Sequence, residues 1–117
     1  MKQPLSIIRG TTQTINIAVR DESGATYSLA DGEVLRFGVK KRPEDPEDQC
    51  LIKKELTIEN LDGAYYVLTL LPTDTKELPF GTYHYDVGLQ SGTNYYNVIE
   101  CSDFNLCYNI TLPEVTS

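Results

Sequence analysis

The chain is poor in the residue types on which most active sites are built. His84 is its single histidine, so no imidazole pair can share acid/base work, and no G-x-S-x-G elbow presents a serine nucleophile. Its three cysteines, Cys50, Cys101 and Cys107, are odd in number and include no C-x-x-C pair. That argues against a secreted disulfide framework and leaves buried thiols as the expected state. Counted with His84 they would make a Cys₃His zinc set, yet structural zinc takes its ligands in close pairs, and these residues are dispersed along the chain. The acidic run from Glu44 to Asp48 lacks the D-x-D-x-D-G spacing that wraps calcium, and its prolines stiffen it, so it reads as a solvated loop. No metal and no cofactor is expected.

Basic residues are also scarce. Ten stand against 17 acidic ones, a formal net charge of −7, which repels phosphate backbones and anionic membrane surfaces. Nucleic acid and membranes are therefore poor partners. No apolar run approaches the length of a membrane span, and the stretch from Met1 to Gly10 is too short in apolar residues to act as a signal peptide. The expectation is a soluble chain made in a cytoplasm. Repeats and low-complexity tracts are missing, and helical periodicity is nearly so.

What is present is alternation. Tyr83, Tyr85, Val87 and Leu89 point one way while His84 and Asp86 point the other, the period of a half-buried antiparallel strand. The same pattern places Ile15, Ile17 and Val19 inward over Thr12 to Arg20, and Leu35, Phe37 and Val39 inward over Glu33 to Lys41. Asp21-Glu22-Ser23-Gly24, Asp31-Gly32 and Gln90-Ser91-Gly92-Thr93 supply turns. Cys50 to Glu59 reads as a strand with Ile52, Leu56 and Ile58 inward; Lys54 falls on that same side, which an edge position accommodates. Ala64 to Leu71 is apolar on both faces, as in a central strand covered on each side. Asp74, with Glu77 three residues on and Pro79 behind, caps a single helical turn. Asn94 to Glu100 and then Phe104, Leu106, Tyr108 and Ile110 close the pattern.

These signals sum to an all-β chain of 117 residues: a single antiparallel β-sandwich of immunoglobulin-like size, with seven to eight strands and one short helical turn. The domain is expected over residues 1–112, with 113–117 as a tail. The sequon Asn109-Ile110-Thr111 has meaning only in a eukaryotic secretory pathway.

Function then rests on surface. Consecutive tyrosines on a strand point to opposite faces, so one ring of Tyr65-Tyr66 and one of Tyr95-Tyr96 is expected to face away from the core. Leu5 to Arg9 is short, apolar and set off by Gly10, which suits an N-terminal strand that exchanges between copies. The candidate interface residues are Ile7, Ile8, Tyr65, Tyr95 and Tyr96.

Three segments carry a likeness: Ile7-Ile8-Arg9-Gly10-Thr11-Thr12 at the start, Leu71-Pro72-Thr73-Asp74-Thr75-Lys76-Glu77-Leu78 before Gly81-Thr82-Tyr83-His84-Tyr85-Asp86-Val87, and Asn97-Val98-Ile99-Glu100 with Phe104 at the close. In these the chain resembles small β-sandwich virion proteins of tailed bacteriophages, and is similar to the N-terminal domain of upper baseplate proteins. The likeness spans nearly the whole chain, and the departure from it is that no coiled coil or receptor-binding domain is expected from these 117 residues. It implies a non-enzymatic module made in the bacterial host cytoplasm and housed in the virion, at the tail, baseplate or neck. Its partners would be other virion proteins or further copies of itself. The alternative from another class is an adhesion or carbohydrate-binding module of a bacterial surface protein, stacking sugars on exposed tyrosines. A hydrolase centred on His84 is the least supported, because His84 and Asp86 are ordinary polar neighbours on one strand face.

Overall fold

The computed structural model describes residues 3–107. Alternation builds its strands where expected. Leu35, Phe37 and Val39 are buried on β3 (Val34–Lys40), and Tyr83, Tyr85, Val87 and Leu89 on β7 (Gly81–Ser91). Around them stand β1 (Leu5–Ile8), β2 (Gln13–Ile17), β4 (Ile52–Leu56), β5 (Leu61–Asp62), β6 (Tyr65–Leu70) and β8 (Asn94–Cys107), with one short helix, α1 (Pro72–Thr75). The chain is all-β, as its patterning implies.

The strands form a five-stranded sheet in the order β1-β8-β7-β3-β4 and a three-stranded sheet in the order β2-β6-β5. Every pairing is antiparallel except β1 with β8, which is parallel from Leu5 opposite Phe104 to Ile8 opposite Cys107. The larger sheet is therefore mixed, which corrects the expectation of purely antiparallel strands. The cause lies in the connection: β1 leads through Gly10, at φ 77°, into β2 of the other sheet. Its direction is set by that crossing and not by a hairpin with β8.

Both sheets contribute to one core. Ile15, Ile17, Leu68 and Leu70 from the smaller sheet join the inward residues of the larger one, each contributing roughly 1.5–3 kcal/mol on burial. At its centre the rings of Phe37, Tyr85 and Phe104 meet with centroids 5.5, 6.3 and 6.2 Å apart. Such tilted and edge-on contacts suit the ring quadrupoles. Buried Tyr66 ties down the long connection between β2 and β3: its hydroxyl donates to the Tyr27 carbonyl at 2.7 Å and accepts from the Leu29 N–H at 2.8 Å.

Several local expectations are corrected. β4 ends at Leu56 because Thr57 caps a 3₁₀ turn over Ile58–Asn60, so Ile58 is exposed instead of inward. Lys54 does lie on an edge strand, half-buried, and pairs with Asp74 at 2.9 Å. β6 is central in its sheet but covered on one face only, with Tyr65 and Thr69 exposed. α1 begins at Pro72, so Asp74 sits in its first turn, where its carboxylate accepts the Leu71 N–H at 2.7 Å instead of acting as the cap residue. Cys101 is exposed, and Cys50 and Cys107 are half-buried, in place of three buried thiols. The two closing segments form the single strand β8. Tyr108, Ile110, the Asn109 sequon and the boundary at residue 112 lie outside the described residues.

Candidate interaction surface

The β7–β8 hairpin is the structural basis of the exposed tyrosines. Its strands are joined through Gly92-Thr93 between the paired Ser91 and Asn94, and Gly92 takes φ 61°, which a side chain would resist. Pairing runs regularly from Ser91 opposite Asn94 to Gly88 opposite Asn97, then shifts on either side of Val87. Tyr85 lies opposite Ser102 and Leu89 opposite Tyr96, so β8 spends six steps where β7 spends four. The two extra residues are bulges, which bend the strand and re-aim the side chains beyond them.

Within the regular part of the hairpin, Tyr95 and Tyr96 are both exposed, at 56% and 55%, where one inward ring was expected. They nonetheless occupy opposite sides of the sheet. Tyr95 stands on the outer face of the larger sheet, its phenol end over Gly88, where an added Cβ would lie 2.0 Å from the hydroxyl oxygen. It borders a cavity of about 610 Å³ whose wall includes Arg36, Lys53, Glu55, His84 and Cys101. Ionisable groups there lie beside one another: Arg36 pairs with Glu55, and His84 Nδ1 stands 3.7 Å from Asp103. Asp103, directly across from His84 on β8, is thus the carboxylate beside the histidine.

Tyr96 faces the other way, into a groove of about 760 Å³ between β8 and residues 18–20, which continue β2. Val19, Tyr27, Leu89, Val98 and Ile99 give it an apolar wall, and Gln3 closes one end. Gln3 is held by three hydrogen bonds in series: its N–H donates to Ser102 Oγ at 2.9 Å, Ser102 donates to the Glu100 carbonyl at 2.8 Å, and the Tyr85 hydroxyl donates to the Gln3 carbonyl. Burial pushes that phenol up to about 12.

The other candidates lie elsewhere. Ile7 is a core residue at 3% exposure, whereas Ile8, at 41%, faces solvent from the same strand. β1 is anchored further by Gly10, whose N–H donates to buried Thr75 at 2.8 Å, and by the Arg9 guanidinium 4.3 Å above the Phe80 ring. Tyr65 is exposed on β6 of the smaller sheet while Tyr66 is fully buried, the opposition expected of that pair. The five candidates therefore do not form one patch. Among the described residues no group of three or more His, Cys, Asp or Glu side chains is placed to hold a metal ion, and no helix is long and apolar enough to cross a membrane.

No family model, curated protein or solved structure matches the chain. The fold adds Leu89, Val98 and Ile99 around Tyr96 as surface residues that the sequence pattern did not mark, and it brings Tyr27 beside them. The signal for them was the uncharged run Asn94 to Ile99, set against Lys53, Lys54 and Glu55 on the opposite edge strand, β4.

Proposed function

We propose that this chain is an immunoglobulin-like β-sandwich acting as a non-enzymatic assembly module of a tailed-phage particle, docking onto other virion proteins through protein–protein contacts. Strand order supports the fold reading. β8-β7-β3-β4 on one side and β2-β6-β5 on the other follow the G-F-C-C′ and B-E-D arrangement of immunoglobulin domains, with β1 as an added edge. The observation that carries the functional reading is the contrast along β8: its two tyrosine rings are more than half exposed, while the nearby ionisable groups pair with one another. Aromatic rings held on a rigid strand are what protein interfaces favour.

Mass spectrometry of purified particles from a phage whose genome carries this gene tests the reading. The expected result is the chain at a fixed copy number per particle, encoded beside portal, tape-measure or terminase genes. Its absence from intact particles sinks the proposal. Light scattering on the chain with and without residues 1–9 tests exchange of β1 between copies; an unaltered monomer in both cases removes it.

The carbohydrate-binding alternative draws on one observation, the Tyr95 ring over Gly88, which offers sugars an aromatic platform beside polar side chains. A glycan array decides it: binding that disappears in Tyr95→Ala favours adhesion over assembly.

A further inference from the structure

β8 is much longer than the strand beside it. β1 pairs only with Phe104 to Cys107, so among the described residues no strand flanks Asn94 to Ile99 on that side. An edge of this kind offers backbone groups to any extended chain, and proteins usually guard it with charge, proline or brevity. The other edge of the same sheet is so guarded, since β4 carries Lys53, Lys54 and Glu55, with Lys54 turned inward. β5 is only two residues long. Asn94 to Ile99 has no such guard: it contains no charge and no proline, and Tyr95, Tyr96, Val98 and Ile99 all favour strand pairing.

The groove described above runs beside this edge, so a strand laid along β8 would send alternate side chains between Val19, Tyr27 and Val98. Its rim is acidic. Asp21, Glu22 and Glu33 border it against a single basic residue, Arg20. Two of these carboxylates are fixed by hydrogen bonds. Glu33 accepts from the Ala30 N–H and the Tyr27 hydroxyl, both at 2.7 Å, and Asp21 accepts from the Ser23 hydroxyl at 2.6 Å and the Ala25 N–H at 3.1 Å. Those bonds hold both below the usual carboxylate range, so they are charged at neutral pH.

We propose that this groove receives a strand from a different protein: an extended segment with apolar residues at every second position and a lysine or arginine at the end that meets Asp21, Glu22 and Glu33. Strand addition of this type takes affinity from main-chain bonds and selectivity from alternate side chains. Charge decides against the chain's own segments as occupants. Residues 108–117 contain Glu114 and no basic side chain, and a second copy brings another net −7. The inference deepens the assembly reading and takes from it only that the partner is a protein.

The probe is a library of random nine-residue peptides selected on the immobilised full-length chain. Enriched sequences are expected to alternate apolar and polar residues and to carry lysine or arginine at one end. Val98→Glu and, on the facing lip, Ala18→Glu should each weaken an enriched peptide at least tenfold, while Thr69→Ala, an exposed change on the other sheet, leaves it unchanged. Glu22→Lys, an exposed change, should remove the preference for a basic end without removing the alternation. The idea is overturned if no peptides are enriched, if they lack alternation, or if both lip variants bind normally. It is also overturned if NMR shifts at Asn94 to Ile99 move on dilution, which would mean a second copy fills the groove, or on deleting residues 108–117, which would mean the chain's own tail does. Loss of the chain from purified particles would refute the phage reading and leave these outcomes untouched.

Discussion

Replacing Tyr66 with phenylalanine removes one oxygen atom, and the structure sets what that costs. The ring is fully buried, so it remains in place and no cavity larger than a hydroxyl opens. Two hydrogen bonds disappear with unequal consequences. The Tyr27 carbonyl is only part-buried and can be rehydrated, so that loss is worth about 0.5–1.5 kcal/mol. The Leu29 N–H is buried, and with no acceptor left it bears a desolvation penalty of about 1–3 kcal/mol. Together Tyr66→Phe should destabilise the protein by roughly 2–4 kcal/mol, or about 8–16 °C in Tm for a chain of this length. Urea denaturation measures the first quantity, with the slope unchanged because the surface exposed on unfolding is nearly the same. Amide exchange supplies the local check: the Leu29 N–H should lose protection in Tyr66→Phe beyond what the global change explains. Tyr65→Phe, altering the exposed neighbour, should cost less than about 0.5 kcal/mol. A Tyr66→Phe variant within that same margin of the parent would refute the claim that this hydroxyl pins the β2–β3 connection.

Three further outcomes are expected. Tyr85, pushed up to about 12, ionises later folded than unfolded, so stability should hold below about pH 9 and fall by about 2–3 kcal/mol as pH rises from 10 to 12; absorbance titration at 295 nm should show Tyr85 ionising well after the exposed tyrosines, with Tyr83 and Tyr27 also raised, by burial and by the Glu33 hydrogen bond respectively, and a single transition near pH 10 would contradict this. Burial alone would raise Asp74, but the Leu71 N–H and Lys54 outweigh it and hold the carboxyl below its usual range. Its contribution is therefore present above about pH 4 and lost as pH falls through the lowered value. Lys54→Met should cost about 1 kcal/mol at neutral pH and flatten the acid limb of the stability curve, and an unchanged acid limb would count against the pair. In Gly88→Ala the new methyl displaces the flexible end of Tyr95, so stability should stay within about 1 kcal/mol of the parent while the NMR signals of the Tyr95 ring shift; unmoved signals would disprove the contact.

The strands that follow from local alternation were legible in the sequence. Leu35, Phe37 and Val39 define β3 and its inward face, and Tyr83 through Leu89 do the same for β7, because period-two burial is a property of each strand by itself. Relations between distant segments were not. Nothing near Leu5 announces a parallel neighbour at Phe104, and nothing near Ile58 outweighs its apolar side chain except the Thr57–Asn60 cap that turns the chain. The exposed Tyr65 and Tyr95 were readable as candidates, but the groove around Tyr96 depends on how far β1 reaches along β8, which is a matter of register between strands. Tyr96 itself departs from expectation because it lies on the inner side of the sheet where the core has already ended.

The paired bulges in β8 carry a consequence for how this strand can change length. One surplus residue inverts every side chain beyond it; a second inverts them back, which is why Ser102 and Tyr96 share a side despite the irregular stretch between them. The hairpin holds Tyr96 opposite Leu89 and the far end holds Ser102 opposite Tyr85, so deleting one surplus codon between them would take out one bulge and lessen the bend without interchanging Tyr95 and Tyr96. Deleting both would leave a straighter strand in regular register, so this part of the gene should tolerate the loss of one or two codons better than the regular stretch from Asn94 to Asn97.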